Sequence, residues 1–130
     1  MRTLIVLLFL LTPLSSSLHA AVPDSVAAIA GRYSGTAYNG ANMDPVTTVL
    51  SFDSQGRFNG SYYVEDEIQE FEGRLSGLVQ EGGRTFSLEW TDRFGEGFAW
   101  FEFNSDYSAF TGYWTDTDAE QQFPWSGQKQ

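Results

Sequence analysis

From Ile29 onward the chain alternates apolar and polar side chains with a period of two, and glycine, asparagine, aspartate and serine cut the runs at short intervals. Successive side chains of a strand point to opposite faces, so this pattern confines the chain to strands buried on one side. Eight runs can be read: Ile29 to Tyr38, Val46 to Phe52, Arg57 to Val64, Ile68 to Val79, Arg84 to Thr91, Gly97 to Phe103, Ala109 to Thr115 and Gln122 to Ser126. In the third, Phe58, Gly60, Tyr62 and Val64 share a face; in the fourth, Phe71, Gly73, Leu75, Gly77 and Val79 do; in the fifth, Phe86, Leu88 and Trp90. The run from Gly97 to Phe103 is apolar on both faces, so alternation leaves its inward side open. Pro124 lacks a ladder donor and suits a strand end or edge.

Short loops and the absence of a helical period predict an all-β fold, an eight-stranded antiparallel up-and-down β-barrel, because closure removes the exposed edges of such a meander. A two-sheet sandwich is the alternative. The segments from Phe52 to Tyr62 and from Phe103 to Trp114 echo each other as strand, polar turn and aromatic-x-Gly, a likeness that hairpins of one barrel share without duplication.

Ahead of the strands stand Arg2, the apolar run Leu4 to Leu11, then Pro13, Ser15, Ser16, Ser17 and the small pair Ala20 and Ala21. This is the layout of a cleaved secretory signal, and the apolar run is too short to span a bilayer core, which needs roughly 20 residues. The expected organisation is therefore a signal peptide over 1–20, an N-terminal segment over 21–28, one barrel domain over 29–127 and a tail over 128–130. No cysteine stands at the junction to carry a lipid, so the expected location is secreted or periplasmic, and not that of a lipoprotein.

Loss of that segment takes away the only histidine, His19, and one of the seven basic residues, deepening the net charge from −10 to −11. So negative a surface repels nucleic acid and anionic lipid. A membrane-spanning barrel would need an apolar outer band, and Arg32, Asn59, Glu70, Arg74 and Glu89 sit on the polar faces of these strands. With neither His nor Cys beyond residue 20, the common nucleophile and base pairings and zinc sites have no ligands, so no enzyme activity and no cofactor are expected.

In an up-and-down barrel the loops after strands one, three, five and seven share one rim. That rim would gather Asp44, then Glu65, Asp66 and Glu67, then Asp92 and Glu96, then Asp116, Asp118 and Glu120, against Arg93 alone. Three uses follow: solubility, calcium binding through hard oxygen ligands, or recognition of a basic protein surface. Most aromatics are expected to fill the barrel. Tyr62, Trp90 and Trp114 each precede an acidic loop and are the candidate ligand-binding residues, ring and carboxylate together suiting a cationic or aromatic small molecule. Glu65, Asp66, Glu67, Asp92, Asp116, Asp118 and Glu120 are the candidate partner-binding residues. Tyr38, Tyr63, Trp100 and Tyr113 would lie on the outer wall, open to a subunit contact.

Gly31-x-Tyr33, Gly56-x-Phe58-x-Gly60-x-Tyr62, Phe110-Thr111-Gly112 and Trp125 resemble the strand signatures of avidin and streptavidin and, more loosely, those of the calycin barrels that include the lipocalins. The resemblance spans most of the chain after the signal and implies an eight-stranded barrel. In the biotin binders the tyrosine matching Tyr62 holds the ureido oxygen, with a Ser or Thr two residues later. Here that position is Val64, and Phe101 stands where avidin has its binding tryptophan, so the resemblance implies the fold and not the ligand.

Overall fold

A computed structural model describes residues 22–118 and 120–130, so the signal peptide expected over 1–20 lies outside the described residues. The strands are β1 (Gly31–Tyr38), β2 (Met43–Phe52), β3 (Phe58–Glu65), β4 (Glu70–Gly82), β5 (Thr85–Asp92), β6 (Gly95–Phe103), β7 (Ala109–Asp116) and β8 (Phe123–Lys129). They close into one antiparallel barrel in chain order. The seam is the β1–β8 ladder, which runs from Tyr33 opposite Lys129 to Ala37 opposite Trp125. Pro124 lies just past that ladder and needs no donor toward β1.

Alternation predicts the inward rows of β3 and β5 correctly, with Gly60, Tyr62, Val64, Phe86, Leu88 and Trp90 buried. It fails in β4. The register against β5 slips between Ser76 and Val79, and Gly77 sits at φ 61, a left-handed conformation that favours glycine. This bulge shifts the phase by one residue: Leu78 packs on the core and Val79 is 51% exposed. Closure also decides β6, where Ala99, Phe101 and Phe103 turn inward and Phe98 is exposed.

The two ends of the barrel are filled differently. At the end bearing the β2–β3, β4–β5 and β6–β7 turns, Phe86, Phe101, Phe103 and Phe110 are fully buried, and Phe101 stacks on Phe110 at 4.1 Å. The short helix α1 (Asp24–Ala27) leads into Ile29, which is fully buried beneath this layer, and the Tyr33 hydroxyl donates to the Ile29 carbonyl at 2.7 Å. Burial pushes the Tyr33 hydroxyl up to about 12. β8 continues through Lys129, beyond the expected barrel boundary at 127; the Lys129 ammonium donates to the Ala28 carbonyl at 3.1 Å and lies over the Tyr33 ring.

At the opposite end the inward side chains are smaller on one arc: Ala37 on β1, Val46 on β2 and Val64 on β3 face the larger Trp90 and Trp114. The layer cannot be filled by these residues, and a cavity remains.

Candidate functional site

The cavity is about 390 Å³ and opens at the mouth formed by the β1–β2, β3–β4, β5–β6 and β7–β8 loops. That volume falls in the lower part of the range typical of small-ligand pockets. Tyr62, Trp90, Trp114 and Trp125 form its aromatic walls, with Phe71 and Phe94 at the entrance.

Two of these walls depend on glycines that let a ring lie flat against a neighbouring strand. A Cβ at Gly73 would stand 2.0 Å from Tyr62 Cζ, and one at Gly97 would stand 2.7 Å from Trp90 Nε1. The rings then lock one another: Tyr62 meets Trp125 edge-on at 5.1 Å, and Trp90 meets Trp114 edge-on at 5.4 Å.

The polar groups are arranged in one sense. Trp90 Nε1 donates to the Thr115 carbonyl at 2.9 Å, Trp114 Nε1 to the Tyr38 carbonyl at 2.8 Å and Trp125 Nε1 to Thr48 Oγ1 at 3.1 Å. The Tyr62 hydroxyl donates to Asp92 Oδ2 at 2.6 Å, and burial together with this carboxylate raises its pKa well above the ordinary tyrosine value. These donors are satisfied within the protein, so the walls offer a ligand ring faces and edges.

The acceptors are the carboxylates of Asp44, Asp66 and Asp92. Asp44 and Asp66 are each held by the protein through one oxygen, and Asp92 through both. Asn39 Nδ2 donates to Asp44 Oδ2 at 2.8 Å, while Asn39 Oδ1 accepts from the amides of Ala41 and Asn42, which fixes the amide group. Asp92 Oδ1 accepts from the Phe94 amide at 2.8 Å, and Asp66 Oδ1 from the Ile68 amide at 3.2 Å. Asp44 is only 5% exposed, and no basic residue lines the cavity. Among the described residues the one ion pair is Arg57 with Asp53 at 2.9 Å, at the opposite end. Buried carboxylates normally have a cationic partner; Asp44 is buried without one, and the half-exposed Asp66 and Asp92 line the same cavity.

All three residues expected from the sequence to meet a ligand, Tyr62, Trp90 and Trp114, line this cavity, as do Asp66 and Asp92 of the rim set. Glu65, Glu67, Asp116, Asp118 and Glu120 are exposed on the rim outside it. Among the described residues no group of three acidic side chains converges as a metal site requires. Asp44, expected in the loop after the first strand, lies instead in β2, which begins at Met43, and pairs with Ala37. The signal was present: Asp44 is in phase with the inward row Val46, Thr48 and Leu50. Trp125, one of the aromatics expected to fill the barrel, and Tyr38, expected on the outer wall, both line the cavity, while Tyr63, Trp100 and Tyr113 are half-buried.

The chain matches no known protein-family model, and neither a curated protein nor a solved structure shows significant similarity to it.

Proposed function

We propose that this protein is an exported, non-enzymatic binding module whose cavity takes a small cationic group, ammonium or guanidinium, on an apolar or aromatic body. The observation that carries the reading is the polarity of the cavity: three uncompensated carboxylates, one of them Asp44 at 5% exposure, stand against aromatic walls whose indole donors are already used. A ligand that supplies positive charge and N–H donors satisfies the carboxylates, and its body gains contact with the rings, each cation–π contact contributing about 0.5–2 kcal/mol. An anionic ligand would meet the same groups as repulsion. The lack of His and Cys after residue 20 favours binding over catalysis.

Tryptophan fluorescence titration with phenethylammonium, 2-phenylethanol and phenylacetate tests the reading, because the three ligands share a ring and differ in charge. The expected order is cation tightest and anion undetectable, with Asp44→Asn weakening the cation about tenfold or more through loss of a charged hydrogen bond. Equal binding of the neutral or anionic member would refute it.

A further inference from the structure

The entrance to the cavity carries features that a free small cation does not need. Ile68, in the β3–β4 loop, is 90% exposed; Phe94, in the β5–β6 turn, is 60% exposed; and Met43, which opens β2, is 50% exposed. All three stand at the cavity end, beside Asp44, Asp66, Glu67, Asp92 and Glu96 in the chain. Of the five large apolar side chains exposed among the described residues, these three flank the mouth, and apolar surface rimmed by polar residues marks an interaction site. This one is structured. Phe94 packs edge-on against Phe71 at 5.0 Å, the Arg93 guanidinium lies 4.8 Å from the Phe94 ring centre, and Arg93 also donates to Gln69, which ties the two loops together. Neither Met43 nor Ile68 lines the cavity.

We infer that the cationic group entering the cavity is a lysine or arginine side chain of a basic polypeptide, whose flanking apolar residues cover Met43, Ile68 and Phe94. The inference rests on the cationic reading of the cavity and names the bearer of the charge. Charge complementarity selects this occupant. The exposed carboxylates of Glu65, Glu67, Asp116, Asp118 and Glu120 ring the same mouth, attract a basic surface and repel an anionic lipid surface. A polypeptide also meets both halves of the surface at once, side chain in the cavity and neighbours on the collar.

The test pans a random peptide library displayed on phage against the protein, then measures the enriched peptides and phenethylammonium on three forms: wild type, Met43→Ser/Ile68→Ser and Asp44→Asn. The expected consensus is a Lys or Arg beside an apolar residue, with peptides binding wild type about tenfold or more tighter than phenethylammonium. The double variant, whose substitutions are at exposed positions and leave melting unchanged, loses that advantage and keeps its affinity for phenethylammonium. Asp44→Asn weakens both. Peptides without a basic consensus, or peptides that bind the double variant as tightly as wild type, overturn the inference. So does collar-dependent binding to neutral phosphatidylcholine vesicles, which would assign the apolar residues to a lipid surface. If phenethylammonium fails on wild type the cavity reading itself is lost; if it binds and the peptides fail, only the present inference is lost.

Discussion

Alanine at position 73 and alanine at position 82 are the same chemical change in the same strand, and the structure assigns them opposite effects. A Cβ at Gly73 would lie 2.0, 2.2 and 2.4 Å from Tyr62 Cζ, Oη and Cε1. Heavy atoms need about 3.5 Å, so the ring must retreat by about 1.5 Å. The ring can retreat only into the cavity it lines or against Trp125, which stands edge-on at 5.1 Å. A shift of that size breaks the 2.6 Å bond to Asp92 and disturbs the aromatic pair. The bond to a charged acceptor is worth roughly 1.5–3 kcal/mol, and the lower part of that range applies because half-exposed Asp92 can turn to water. The ring pair adds about 0.5–1.5 kcal/mol, and the stiffer unfolded chain offsets about 0.4–1 kcal/mol. The net expectation for Gly73→Ala is a loss of about 2 kcal/mol, on the order of 10 °C in Tm. Gly82 has no atom within 4 Å of an added Cβ, so Gly82→Ala should be neutral or stabilise by about 0.4–1 kcal/mol. Urea unfolding followed by tryptophan fluorescence measures both. If the two variants have the same midpoint, Tyr62 is not held against Gly73 and is not a fixed wall of the cavity.

Alkaline pH gives a second test. The Tyr33 hydroxyl ionises near 10 in an unfolded chain and at about 12 in the fold, so the folded state holds the proton more tightly, and the contribution is complete below about pH 10 and lost as pH rises toward 12. Wild type is expected to lose about 2 kcal/mol more than Tyr33→Phe between pH 8 and about pH 11.5; parallel loss in the two proteins would show that Tyr33 is not the group responsible. Thr48→Val removes the acceptor of the buried Trp125 indole and should cost about 1–3 kcal/mol in urea unfolding, with an unchanged midpoint counting against that bond.

Much of this fold is legible in the sequence because alternation is a local property. A strand that carries no bulge of its own needs no tertiary information to say which of its residues face inward, and β3 and β5 are such strands. β4 is not, because the slip at Gly77 is a relation between two strands, and only pairing with β5 sends Leu78 inward and Val79 outward. The same holds for the start of β2: Asp44 carries the right phase, but whether it is loop or strand depends on β1 running far enough for Ala37 to pair with it. The aromatic candidates are legible because each stands on an inward row within a few residues of an acidic loop, which chain order alone places at the mouth.

What the sequence by itself determined is an all-β chain of eight strands, their order, a carboxylate-rich rim and Tyr62, Trp90 and Trp114 near it. The tertiary structure decided that the end bearing the β2–β3, β4–β5 and β6–β7 turns is solid and the other hollow. That outcome is a sum of side-chain volumes across a layer, and Ala37, Val46 and Val64 leave space only because closure sets them opposite rings from strands far away in the chain. It also decided that Asp44 is buried in that space with no cationic partner lining it, which turns a general excess of acid into a specific demand on a ligand.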